Sequence, residues 1–200
     1  MPMKAVTSVV LGSLLVLSVS CSKSETTPSS ADLLSRPATI KDIMDSMVDP
    51  SGDFLFESIQ QIADEKGIRQ VAPETDEQWT EVRRRALILV EAPNLLAMEG
   101  RKVAQPGEKA ENPEVELHPE QIQKMLDDDR ASFIRRAKRL QGAAEAALQA
   151  AKAKDKDALF SAIDRIDKAW ENCHLHYWYP NDERAKEAAK MPHGGSAGNG

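Results

Sequence analysis

The chain has 200 residues, enough for one sizeable domain with tails but for little more. Its formal net charge of -6 argues against a protein that binds nucleic-acid phosphates, because such proteins usually carry a basic face. Aromatic residues make up only 4% of the chain. This composition favours long helices over a β-sandwich, which needs more β-branched and aromatic residues.

Residues 1–20 have the features of an export signal. Lys4 supplies a positive start, and residues 5–20 are apolar or small but too few to span a membrane. Cys21 follows a small-x-small sequence, which is typical of a lipoprotein signal and would make Cys21 the lipidated first residue of the mature protein. Simple secretion is the alternative. In both cases we expect an exported protein, periplasmic and, with lipidation, anchored to the membrane.

The sequence after the signal divides into a tether, a folded part and a tail. Residues 21–37 are rich in Ser, Thr and Pro and predict a flexible tether. Residues 38–188 carry the apolar periodicity of a folded domain. Residues 189–200 are rich in glycine, and we expect them to form a disordered tail.

Four helices are predicted between the tether and the tail. The first starts at the N-cap Thr39, is interrupted at residues 49–52, resumes, and ends at Gly67. The second starts at a capping box opened by Thr75 and ends at Gly100.

A polar loop of residues 101–118, with two prolines and a glycine, leads to the remaining two helices. The third runs from Pro119 to Ala151, and the fourth runs from about Asp155 until Pro180 stops it. No strand pattern competes with these helices. Four amphipathic helices with mostly short connections predict an all-α, antiparallel up-down four-helix bundle.

The fourth helix presents the most informative residues of the chain. Trp170, Cys173, His174 and Tyr177 are spaced so that they share one helical face. A thiol and an imidazole on adjacent residues can reach the edge and the iron of a porphyrin together. Core packing is the other interpretation, because Trp170 also continues an apolar stripe and a buried free cysteine is common.

The segment Trp170-Glu171-Asn172-Cys173-His174 resembles the haem attachment motif Cys-x-x-Cys-His with tryptophan in place of the first cysteine. Further similarity lies in residues 43–50, 75–79, 94–96 and 173–180. On these segments, residues 38–185 resemble the class II cytochromes c, the cytochrome c-prime-like four-helix bundles.

The resemblance implies a haem c held by a single thioether at Cys173, with His174 as the proximal iron ligand. It places Met44 as the distal iron ligand, with Trp170 and Tyr177 beside the ring. The expected function is electron transfer with a redox partner protein, without enzymatic activity. A homodimer is compatible with the resemblance. Two alternatives stay open: a haem-free structural or interaction lipoprotein, and a five-coordinate haem protein that binds small gases.

Overall fold

The computed structural model describes residues 35–65 and 67–183. Cys21, the predicted signal and the predicted tail lie outside these residues. The described part is mostly helical, with one small hairpin. Its elements are α1 (Ile40–Ile43), a π-helical segment (Met44–Val48), α2 (Asp49–Ser58), β1 (Gln60–Asp64), β2 (Gly67–Val71), α3 (Asp76–Leu96), α4 (Pro119–Asp128), α5 (Arg130–Ala153) and α6 (Lys156–Tyr177).

All four helix starts predicted from the sequence are confirmed, and α4 begins at Pro119 as expected. The Thr39 hydroxyl accepts a hydrogen bond from the Asp42 backbone N–H, and Thr75 does the same for Gln78. Asp155 caps the start of α6 in the same way. Each side-chain oxygen satisfies a backbone donor that has no partner inside the helix.

The interruption predicted at residues 49–52 is wrong, because the chain stays helical there. The segment Met44–Val48 is π-helical, and the backbone N–H of Asp49 donates to the carbonyl of Met44, five residues back. Pro50 then lies in the first turn of α2, where a missing backbone N–H costs little.

The helix predicted to run to Gly67 ends at Ser58, and an antiparallel hairpin follows. The hairpin pairs Gln60 with Val71 at its open end. Gly67 lies beside the turn with φ of 115°, a conformation that other residues rarely adopt. β-branched side chains such as Ile62 favour extended backbone, and their helical spacing here covers too few residues to outweigh that preference.

The third predicted helix is two helices, α4 and α5, which meet at Asp129. The backbone of Asp129 leaves the helical region, and its side chain accepts a hydrogen bond from the N–H of Ser132. A carboxylate is unfavourable at the end of α4 but favourable at the start of α5, because of the helix dipole. The second predicted helix, α3, ends at Leu96 rather than Gly100.

The helices bury their apolar stripes against one another. Helix α3 packs along α5, and α5 packs along α6, while α2 contacts both α3 and α6. The core draws on every one of these helices. None of the helices in the described residues is both long and apolar enough to cross a membrane.

The predicted loop between Leu96 and Pro119 is confirmed, and it joins distant parts of the fold. The backbone N–H of Ile40 donates to the carbonyl of Lys102, which fixes the start of α1. At the other end of the loop, the N–H of Leu117 donates to the carbonyl of Trp178, just after α6. The loop therefore connects the first helix described to the last.

Candidate functional site

Four of the residues singled out in the sequence meet around one small cavity. Met44, Trp170, Cys173 and His174 all line it. Its other walls are apolar side chains from α3, α5 and the π segment, together with Arg136. We call it the apolar cavity; its volume is about 20 Å³, room for about one water molecule.

His174 is surrounded by aromatic rings. Its ring centroid lies 5.6 Å from that of Trp170, 5.9 Å from that of Trp178 and 6.2 Å from that of Tyr179. Burial among them lowers the pKa of His174 to about 4. The imidazole is therefore neutral near pH 7 and keeps a nitrogen lone pair, as a metal ligand requires.

Cys173 precedes His174 on the same face of α6 and is a free thiol. Burial raises the pKa of this thiol to about 11. The thiol is therefore protonated near pH 7, unlike the exposed, low-pKa thiolates that redox reactions use.

Met44 is buried, with 8% of its surface exposed, and belongs to the π segment rather than to a regular helix. It lines the apolar cavity together with His174. The structure thus brings a thioether sulfur, a thiol and an imidazole to the walls of one cavity. The sequence could predict their faces but not this convergence, which depends on how α6 packs against the first helices.

Trp170 fits against a glycine of α2. A Cβ atom added to Gly52 would lie only 2.2 Å from Cζ3 of the indole, so only glycine leaves room for this ring. The indole also contacts the ring of Phe56, with the centroids 6.0 Å apart. Trp170 is half-buried between α2 and His174. Trp170 is therefore packed against a surface of α2 that fits its indole ring.

Tyr177 lies one helical turn after Cys173 on α6, next to the apolar cavity. It is fully buried, and its ring packs edge-on against Phe133 of α5 at 5.6 Å. The guanidinium of Arg136 lies 5.9 Å from the centre of the same ring. Tyr177 does not itself line the apolar cavity, but it packs behind Phe133 and Arg136, which do.

Arg136 is a site residue that the sequence reasoning missed. One guanidinium nitrogen donates to the side chain of Asn172, while Nε is buried without a hydrogen-bond partner. A buried donor of this kind normally finds an acceptor. The signal in the sequence was a cation next to the apolar stripe of α5 that includes Phe133 and Ala137, which is easily taken for a solvent-facing residue.

A second cavity lies on the other side of the Met44–His174 pair, and we call it the charged cavity. Its volume is about 120 Å³. Besides Met44 and His174, its walls include lysines, carboxylates and two aromatic rings: Lys41, Lys109, Asp45, Asp49, Glu111, Glu116, Trp178 and Tyr179.

Two of the acids in the charged cavity have contrasting environments. Glu111 is paired with Lys41 at 2.9 Å. Asp49 has a buried Oδ1 without a hydrogen-bond partner. Burial, followed by the charge of Asp45, raises the pKa of Asp49 to about 6. Asp49 was not singled out in the sequence, because nothing there shows that residue 49 is partly buried.

Within the described residues, no group of three or more His, Cys, Asp or Glu side chains could hold a metal ion. No protein-family model, curated protein or solved structure matches this chain.

Proposed function

We propose that this chain is an exported haem-binding protein, similar to the c-type cytochromes, that transfers single electrons. The observation that carries the proposal is the convergence of Met44, Cys173 and His174 on one buried cavity. Imidazole and methionine sulfur are the axial ligands of many electron-transfer haems, and a cysteine next to the histidine is the attachment residue of haem c.

The finer architecture in this proposal is an antiparallel up-down four-helix bundle. The first helix would be the run from α1 through the π segment to α2, and α3, α5 and α6 would supply the other three. The pairing of α3 with α5 and of α5 with α6 supports this arrangement. Bundles of this kind place cofactors between facing helices.

The chemistry of the donor set fits a haem. His174 is neutral, and Met44 is a soft thioether on the wall opposite α6. Arg136 supplies a half-buried cation whose buried Nε has no hydrogen-bond partner, and a haem propionate is an anion that such a donor would take. The cavity also excludes other charged groups, which suits a ring that is mostly apolar.

The two cavities are smaller than a haem requires. Pockets for drug-sized ligands and cofactors measure about 300–1,000 Å³, whereas the apolar and charged cavities measure about 20 and 120 Å³. A porphyrin therefore needs side chains around His174 to move outward. Trp170, Trp178 and Tyr179 are the half-buried rings next to the imidazole, and they could move without disrupting the fully buried core.

Each residue then has a defined role. Cys173 would hold the ring covalently, and His174 and Met44 would supply ligands to its iron. Arg136 would neutralise a propionate, and the apolar walls would exclude water. The haem supplies the one-electron chemistry, and methionine opposite histidine raises its reduction potential. The protein would be an electron carrier rather than an enzyme.

A haem stain after denaturing electrophoresis tests covalent attachment directly. The protein is expressed together with a c-type attachment system, and we expect wild type to stain and Cys173→Ala to lose the stain. The reduced pyridine spectrum should place the α band between those of unattached and doubly attached haem. Stain that persists in Cys173→Ala would overturn the role of Cys173.

A Trp170→Cys variant provides the matched comparison, because it restores both cysteines of the attachment motif. We expect its α band to move to the position of doubly attached haem. If Trp170→Cys binds haem and wild type stays colourless, the tryptophan has abolished haem binding in this chain.

A haem-free structural or interaction protein is the second candidate. The fit of Trp170 against Gly52 and the small volume of the apolar cavity favour it. It predicts a colourless purified protein in which added haem leaves the tryptophan fluorescence unchanged. Haem quenches nearby tryptophan strongly, so a titration of haem into the unloaded protein separates the two candidates.

The proposal also covers the cellular location and the partners of the protein. Lipidation at Cys21 would anchor it to a membrane, with the folded domain in the periplasm. The partner would be another redox protein, and a homodimer fits the resemblance to the class II cytochromes c. Metabolic labelling with a fatty acid, lost in Cys21→Ser, tests the anchor.

A further inference from the structure

Met44, the candidate iron ligand, is the first residue of the π-helical segment. Segments with this wider hydrogen-bonding pattern are rare and recur at functional sites. Here the segment covers Met44–Val48 and is immediately followed by Asp49 and Pro50.

Pro50 gives a physical reason for the π segment. In a regular α-helix, the backbone N–H of residue 50 would donate to the carbonyl of Ser46, but proline has no N–H and its ring clashes with that carbonyl. A π turn avoids the conflict, because its hydrogen bonds reach back five residues, as the bond from Asp49 to Met44 does. Residues on both sides of Pro50 can then remain helical.

The π segment changes the direction in which Met44 points. Met44 and Gly52 are eight residues apart, and in an unbroken α-helix they would differ in direction by about 80°. The wider turn removes much of this angle. Met44 thereby comes into line with Gly52, whose surface is covered by Trp170 of α6. Met44 lines both cavities together with His174, which lies on α6 as Trp170 does.

The burial pattern agrees with this alignment. Ile40, Met44, Val48 and Gly52 are all buried and recur every four residues. Such a stripe drifts steadily around a regular helix of 3.6 residues per turn. The π segment offsets the drift, so that the stripe stays against the rest of the core.

We propose that Pro50 is a positioning residue: it imposes the π segment, and the π segment turns Met44 toward the face of α6 that carries His174. The consequence for iron ligation rests on the proposed haem function. The orientation of Met44 itself does not, because it can be measured in protein without haem.

The test combines three variants. Pro50→Ala allows a regular α-helix and should turn Met44 away from the cavity. Pro50→Ala with Ser46 deleted shortens that helix by one residue, which restores the direction of Met44 to within about 20° of Gly52. Pro93→Ala is the control for the loss of a helical proline, since Pro93 lies inside α3 but has no π segment before it.

The first measurement is methionine oxidation by peroxide in haem-free protein, followed peptide by peptide. We expect Met44 to oxidise several-fold faster in Pro50→Ala and at the wild-type rate in the deletion variant and in Pro93→Ala, with Met125 as internal reference. An unchanged Met44 rate in Pro50→Ala would overturn the proposal. A deletion variant that stays as reactive as Pro50→Ala would overturn it too.

The second measurement applies to the haem-loaded protein. The charge-transfer band of methionine-ligated ferric haem should be present in wild type, lost in Pro50→Ala and regained when Ser46 is also deleted. If wild type binds no haem, the proposed function fails, and the oxidation rates still decide the role of Pro50. If Pro50→Ala keeps the band, the positioning role is wrong although haem is bound.

Discussion

The two cavities on either side of Met44 and His174 have opposite characters. The apolar cavity is small and walled mainly by aliphatic and aromatic carbon. The charged cavity is several times larger and is lined by carboxylates and lysines, with Asp49 only partly satisfied. The same two side chains therefore face a close-packed core on one side and ionisable groups on the other.

This difference predicts that the two sets of residues contribute to the stability of the fold in different ways. The residues around the apolar cavity stabilise the fold by packing, where a missing methylene group leaves a void. The residues around the charged cavity contribute through protonation, which depends on pH. Substitutions on the two sides should consequently have effects of different size and different pH dependence.

The largest effect is expected on the apolar side, at Phe133. This ring is 1% exposed, lines the cavity and packs against Tyr177. Phe133→Ala should lower the free energy of unfolding by about 3–5 kcal/mol, since it removes a buried aromatic ring and leaves a cavity. Urea denaturation measures the change.

Phe160 offers the matched control for this substitution. It lies on α6 and is 39% exposed. Phe160→Ala should cost clearly less than Phe133→Ala, because less carbon surface returns to water and no enclosed void is left. Equal losses at the two positions would contradict the assignment of Phe133 to the packed side.

The second-largest change in the free energy of unfolding is expected at Gly52, where α2 meets Trp170. Gly52→Ala places a Cβ 2.2 Å from the indole, so the ring must shift. We expect a loss of about 1–3 kcal/mol in the free energy of unfolding, the usual cost of overpacking. The emission maximum of Trp170 should move as well, which fluorescence measures.

Gly142→Ala is the control, because an added Cβ there meets nothing within 4 Å inside α5. It should stabilise the protein by about 0.5–1 kcal/mol, as alanine favours helix over glycine. A destabilising Gly142→Ala, or a neutral Gly52→Ala, would contradict this view of the contact with Trp170.

The smallest effect is expected on the charged side, at Asp49. Its pKa is raised from 3.8 to about 6, so the folded protein holds this proton more tightly than the unfolded chain does. Asp49 therefore opposes folding at pH 7, and the opposition fades as the pH falls toward 4. Asp49→Asn should gain about 1–2 kcal/mol at pH 7, allowing for partial exposure, and nothing near pH 4.

His174 has the opposite pH dependence. Its pKa is lowered from 6.5 to about 4, so stability is lost as the pH falls through this range. In Asp49→Asn the loss due to His174 is no longer offset, and the free energy of unfolding should fall more steeply below pH 6.5. An equally steep fall in wild type and in Asp49→Asn would contradict this account.

The helix starts were predictable because they depend on neighbouring residues alone. Thr39 and Thr75 open capping boxes that can be recognised over four residues. The break at Asp129 was missed because the same carboxylate suits a helix surface and a helix cap. The hairpin was missed because Ile59 and Ile62 fit both a helical and an extended pattern.

The candidate site was only partly predictable for a related reason. The common face of Cys173 and His174 follows from their spacing on one helix. The position of Met44 depends on a π segment that Pro50 causes, and the sequence suggested a break there. The roles of Arg136 and Gly52 depend on contacts between helices distant in the chain, which periodicity cannot indicate.

The loop from Leu96 to Pro119 has a consequence for how the fold could come apart. Its two ends hold the start of α1, at Ile40, and the residue after α6, Trp178, through backbone hydrogen bonds. Residues 103, 104, 109–111, 116 and 117 of this loop also line the charged cavity. A single proteolytic cut between Lys102 and Leu117 would uncouple the start of α1 from the end of α6, because each would keep its hydrogen bond to a different half of the loop.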